Sequence, residues 1–237
     1  MKKKWLILAL ILVMCLPLCV TAESAGDEQA HLAVHWEQSD PKWADHMVGH
    51  LSVADSGCGL ASLCNALYYL NGYRADLVAV CDWAHEKGLL NPPGINGVYR
   101  SVYHHAGNAK GRNYGFTATE YRSGSIRTRE LLAHLQNGGT AAIHVEGHFM
   151  AAVGYDPVTE RVLVLDPLPG DVGKYDRRRK GVTHTGGDWL TFETLSQGYT
   201  KVDGYVLLSR AVTQSESDAL VPAAMQGIHL ADKRTEE

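Results

Sequence analysis

Asp55-Ser56-Gly57-Cys58-Gly59-Leu60-Ala61-Ser62 sets a cysteine between two glycines at the mouth of an apolar run. From there Leu60, Leu63, Leu67 and Leu70 recur at three- and four-residue steps, which predicts a helix with one apolar face. Asp55 or Ser56 can cap its start, and Asn71-Gly72 ends it. A thiol attacks only as its thiolate, and an ordinary cysteine titrates near ~8.5. A helix N-terminus offers partial positive charge and unpaired amides, which favour the anion. A cysteine that serves only as a small apolar residue belongs mid-face in a core. Cys58 instead stands at an opening turn, where Gly57 and Gly59 leave room for a substrate backbone, in a crevice expected to be open to water. It is the candidate nucleophile, and its own amide is a candidate oxyanion donor.

Two later stretches supply partners. Gly147-His148-Phe149-Met150-Ala151-Ala152-Val153-Gly154-Tyr155 opens a strand with a histidine, and period-two alternation puts His148, Met150 and Ala152 on one face. An imidazole with a pKa near ~6.5 can take and return a proton. The chain has 12 histidines, and His144 on the preceding strand is the main rival. Leu165-Asp166-Pro167 ends another strand, where a carboxylate can hold the second imidazole nitrogen; Asp156, also before a proline, competes. Gln38, upstream in Gln38-Ser39-Asp40-Pro41-Lys42-Trp43, is either a plain loop glutamine or a second oxyanion donor. His144-Val145-Glu146-Gly147-His148 spaces two histidines four apart, but the glycine and β-rich flanks oppose a helix. Glu146 is also misplaced for the zinc-helix motif. No metal or other cofactor is expected.

Around these stretches the pattern changes once. A second helix fits 74–87, a short one 95–106 and another 128–136, with a strand near 115–121. Short β-rich runs follow at 141–145, 149–153, 161–165 and 204–208, with a turn at 155–159 and a short helix at 191–197. Residues 167–188 form a long loop in which Arg177-Arg178-Arg179-Lys180 is a solvated basic run. Helices first and an antiparallel sheet second make an α+β fold, with the nucleophile on the helical half and the base on the sheet half.

Residues 1–22 read as a signal peptide: Lys2, Lys3 and Lys4, an apolar run of about 16 residues, then Val20-Thr21-Ala22 before the expected first mature residue, Glu23. A retained anchor is disfavoured because the run holds Pro17 and falls short of the ~20 residues a spanning helix needs. A lipoprotein at Cys19 is disfavoured because Pro17-Leu18 lacks the small residues of such a site. Residues 23–34 read as a flexible leader, 35–211 as one folded domain and 212–237 as a polar tail. About 215 residues remain after the signal, enough for a well-buried core. A net charge of -4 gives no electrostatic reason to expect nucleic acid. Of five cysteines, Cys15 and Cys19 leave with the signal. If Cys58 is a free thiol, Cys64 and Cys81 are the only possible pair, and both fall on helices where simple burial is the plainer reading.

The blocks Gln38/Asp40/Trp43, Asp55 to Gly59, Gly147 to Asp156 and Leu165 to Pro167 together resemble the papain-like cysteine peptidases. More narrowly, they resemble the stand-alone relatives of cysteine-peptidase family thirty-nine, the bacteriocin-leader peptidases. The resemblance covers about residues 35–210. It implies a papain-like fold, Cys58 as nucleophile, His148 as base, Asp166 as its orienter and Gln38 as oxyanion donor. Leader peptidases are usually joined to an exporter with membrane spans and an ATPase, neither of which occurs in this sequence. A leader peptide is therefore not assumed as substrate. The expected activity is secreted thiol hydrolysis of a peptide or amide bond in a peptide or protein partner. A cell-wall amidase or endopeptidase, a transglutaminase-like acyltransferase and a catalytically silent binding module are the alternatives. Oligomeric state and cleavage preference stay open.

Overall fold

Apolar residues alternate along the strands after Thr140, and that alternation sorts the helices onto the two faces of one sheet. The structure is a computed structural model and describes residues 34–108, 111–122, 128–145, 147–168, 188–191 and 202–211. These all fall in one compact unit that begins at Val34. A small hairpin of β1 (Met47–Val48) and β2 (Leu51–Ser52) leads into a one-turn helix α1 (Val53–Ser56) and the helix α2 (Cys58–Asn71). Then come α3 (Leu77–Glu86), α4 (Ser101–Gly107), β3 (Phe116–Arg122) and α5 (Thr128–Gln136). Strands β4 (Thr140–Val145), β5 (His148–Asp156), β6 (Arg161–Leu165), β7 (Asp188–Thr191) and β8 (Val202–Arg210) complete the described chain.

Six strands pair antiparallel throughout in the order β3-β8-β4-β5-β6-β7, so the last strand inserts between β3 and β4. Ala142, Phe149, Ala151, Leu165, Val206 and Leu208 face one way, into a core with α2, α3 and α4. Ala141, Ile143, Val145, Met150, Ala152, Val162, Val164 and Leu207 face the other way, onto Leu131 and Leu135 of α5. The fold is α+β and papain-like in arrangement, with the cysteine-bearing helix laid on an antiparallel sheet.

Helix α2 is buried nearly all round, not on one stripe: Ser62 and Asn65 are covered as completely as the leucines. Each leucine removed from water contributes about 1.5–3 kcal/mol. Asn65 offers more than packing. Its Oδ1 accepts the Trp36 N–H at 2.8 Å and its Nδ2 donates to the Trp36 carbonyl at 3.1 Å, which straps the segment before Gln38 onto the helix. Leaving either backbone group unpaired there would cost about 1–3 kcal/mol.

Several boundaries differ from the sequence-based expectation. Asp55 and Ser56 do not cap α2, because both are used one turn earlier. The Asp55 N–H donates to the Ser52 side chain, and the Ser56 hydroxyl donates to the Ser52 carbonyl. Gly57 is the N-cap of α2 and makes no side-chain capping bond. Gly72, at φ 75, ends the helix in the left-handed conformation. Helix α3 begins at Leu77, not at 74, where the Asp76 side chain accepts from the Val78 and Ala79 N–H groups. Of the expected 95–106 helix only 101–106 is helical, and the helix runs one residue further, to Gly107; the residues before it turn back through a Leu90–Val98 bridge. Residues 188–191 form β7, so Thr191 is in a strand and not at the start of a helix. The rest of the expected 191–197 helix lies outside the described residues. So do the signal segment, nearly all of the leader, the Arg177-to-Lys180 run and the tail.

Candidate active site

Cys58 stands at the first position of α2 and Phe149 at the second of β5, and the Phe149 ring lies against Gly59, so helix mouth and strand end meet. Burial alone would push the Cys58 thiol up. The hydrogen bond from His148, its positive charge and the N–H groups of Phe149 and Gly59 outweigh burial and hold the thiol below its ordinary value. The other two cysteines show what burial does unopposed. Cys64 and Cys81 are both free thiols; Cys64 is driven well up and Cys81 to about 12.

His148 Nε2 lies 2.8 Å from Asp166 Oδ1, and Asp166 Oδ1 also accepts the Leu168 N–H at 2.9 Å. With Nε2 facing the carboxylate, Nδ1 is the nitrogen left for the sulfur. Burial pushes the His148 pKa down, but the charge and hydrogen bond of Asp166, followed by those of Cys58, bring it to about 9. Each group thus favours the charged form of the other: His148 lowers the thiol and Cys58 helps raise the imidazole. Met150 and Ala152 face α5 while His148 meets Cys58 in the other core, so period-two alternation stops at the first residue of the strand.

The two rivals have other partners. His144 is bonded to Asp203 and Arg100. Asp156, the half-exposed last residue of β5, caps the following turn by accepting the Val158 N–H and the Thr159 hydroxyl. Gln38 is buried at 2 % exposure. Its N–H donates to the Pro167 carbonyl at 2.6 Å, and its Nε2 donates to the Ala54 carbonyl at 2.5 Å. It thus joins the residue after Asp166 to the turn before Cys58, while its buried Oε1 has no hydrogen-bond partner. The other two residues of its block build the turn that holds it: the Trp43 indole donates to the Glu37 carbonyl, and Asp40 accepts the Lys42 N–H.

Two expectations are corrected here. The glycines leave no space for a substrate. A Cβ on Gly59 would lie 2.5 Å from a Val98 methyl, and one on Gly57 2.6 Å from the Val53 carbonyl oxygen, so the protein's own chain fills both places. Nor is the nucleophile widely open: Cys58 is 9 % exposed, because its turn packs beneath Val98 and against Phe149. Sequence reading also missed Tyr103, whose hydroxyl donates to the Gly59 carbonyl at 3.0 Å across 44 positions and pins the first turn of α2. No local motif marks it.

Residues 35–197 match the profile of the peptidase C39-like family. The chain belongs to that family. Membership supports a peptidase-like hydrolase, and the matched span contains Gln38, Cys58, His148 and Asp166. No curated protein matches this C39-like chain. Among the described residues, no helix of the C39-like fold is long and apolar enough to cross a membrane.

Proposed function

We propose that this C39-like chain is an exported thiol hydrolase that cleaves a peptide or amide bond with Cys58, His148, Asp166 and Gln38. The observation that carries the reading is the buried series from a depressed thiol through a raised imidazole to a carboxylate. The Cys58 thiolate attacks the carbonyl carbon, and the carbonyl electron pair moves onto oxygen. The second hydrogen of Gln38 Nε2, not used by Ala54, and the Cys58 amide steady that oxyanion. Collapse expels the amine, which takes its proton from the His148 imidazolium. Neutral His148 then draws a proton from water as the hydroxyl attacks the thioester, returning acid product and free thiol. Asp166 holds the ring through Nε2 and stays ionised. Near-exclusion of water strengthens the thiolate–imidazolium attraction.

Selective alkylation tests the reading. Iodoacetamide at pH 7 is expected to modify Cys58 at least about tenfold faster than Cys64 or Cys81, mapped by peptide mass spectrometry, and the untreated chain is expected to release new amines from a peptide mixture. Equal alkylation of the three, or no cleavage by a chain with a selectively reactive Cys58, would remove it. Export is supported by Lys2 to Lys4, the apolar run and Val20-Thr21-Ala22. N-terminal sequencing of the extracellular chain is expected to begin at Glu23, and an uncleaved cytoplasmic chain would contradict export.

A further inference from the structure

Beside the Cys58 site, strands β3, β4 and β8 carry a half-buried cluster whose partners make incompatible demands on one atom. Arg100 Nη2 donates to His144 Nδ1 at 2.7 Å and to Asp203 Oδ1 at 2.6 Å, while Nη1 lies 3.7 Å from Glu120 Oε1. Asp203 Oδ1 also contacts His144 Nδ1 directly. Guanidinium only donates and carboxylate only accepts. A single ring nitrogen carries either a lone pair, which suits Arg100, or a hydrogen, which suits Asp203.

The backbone is shaped around this cluster. Pairing of β4 with β8 steps from His144↔Gly204 to Val145↔Val202, which leaves Asp203 as the extra residue of a bulge. A Cβ on Gly204 would sit 2.9 Å from Arg100 Nη1, so the glycine leaves the bed on which the guanidinium lies. Both ends of the cluster reach the nucleophile. Arg100 closes a segment in which Asn96 Nδ2 donates to the Asp55 carbonyl at 3.5 Å and Val98 packs on Gly59. The His144 ring lies 4.4 Å from the Phe149 ring, and the Phe149 N–H donates to the Cys58 sulfur.

We infer that Arg100, His144 and Asp203 form a proton-sensitive positioning cluster for Cys58: neutral His144 holds Arg100, and protonation turns Nδ1 to Asp203 and loosens the 96–100 segment from the mouth of α2. The inference rests on the thiol reading above. The charged groups facing His144 are Arg100 from the segment before α4, Asp203 from β8 and His148 from β5; Glu120 and Arg122 of β3 complete the set around Arg100. Burial first, then Arg100 and His148, outweigh the upward pull of Asp203 and lower the His144 pKa. The ring is therefore neutral at pH 7 and charges only on acidification. Its charge then also repels the His148 imidazolium that the thiolate needs.

The test is the rate of Cys58 alkylation by iodoacetamide in the full chain across pH 4.5–8, for wild type, His144→Gln and Arg100→Lys. Thiolate protonation supplies one acid step in all three. Wild type is expected to lose about three- to tenfold more than either variant between pH 7 and pH 5, because it alone couples the His144 ionisation to the 96–100 segment: His144→Gln lacks the titrating ring and Arg100→Lys lacks the link. Arg100→Lys keeps the charge but not the two-partner fork. Identical acid limbs, with Cys58 alkylated selectively in wild type, overturn the cluster and leave the thiol reading standing. No selective alkylation at any pH overturns both. Should the variants not fold, the His144 ring proton shift in wild type is followed by NMR: titration below pH 6.5 in step with the extra loss supports the cluster, and a ring unchanged over that range overturns it.

Discussion

Cys58→Ala is expected to leave no peptide turnover, and His148→Gln to lower kcat/KM by roughly 10²–10⁴. The histidine variant is the more informative, because two effects have one cause. Burial drives the Cys58 thiol up, and His148 supplies the largest opposing influence. With glutamine there, only the Phe149 and Gly59 N–H groups oppose burial, so the sulfur stays protonated at neutral pH. The same change removes the group that protonates the leaving amine. Alkylation should separate the two. In wild type the rate plateau extends below the ordinary thiol range; in His148→Gln the rate should climb only near pH 9 and above. A variant with the wild-type profile would show that His148 does not ionise Cys58.

Asp166→Asn is expected to move the alkaline limb of the rate profile down from about pH 9 and to lower kcat/KM by roughly 10²–10⁴. The sign follows from which form of His148 is required. Imidazolium exists below the ring's pKa and is lost as pH rises through it, so the Asp166 charge keeps the working form up to about 9. Asparagine keeps the shape, and its Oδ1 still accepts the Leu168 N–H that Asp166 now accepts at 2.9 Å. It carries no charge, and burial then pushes His148 down unopposed by a carboxylate. The measurement is kcat/KM against pH for both proteins, with urea denaturation to show that both are folded. An alkaline limb unmoved in the variant would mean that Asp166 does not set the His148 pKa.

The α+β order was legible because each element carries its own period: leucines at helical steps from Leu60, and β-rich runs of the right length after Thr140. Cys58, His148 and Asp166 stood out as candidates because each marks the end of such an element, where side chains and orphan amides are not consumed by the ladder; that they lie side by side is a tertiary fact. Cap positions were less legible. Ser52, not Asp55 or Ser56, turned out to organise the start, since a one-turn helix precedes the expected one. Strand β7 was hidden because its four residues become a strand only beside β6.

By itself the sequence determined the two halves of the molecule and singled out the candidate positions Cys58, His148 and Asp166, because both depend on local spacing and on the chemistry of single residues. Tertiary structure alone decided which groups meet. Tyr103 finds Gly59 across 44 positions, and Arg100 finds Asp203 across 103. Packing of Val98 against Gly59 also decided that this glycine serves the protein's own chain and not a ligand. Such pairings arise where a bulge, a missing side chain and a buried charge coincide in space, and no periodicity along the chain records that coincidence.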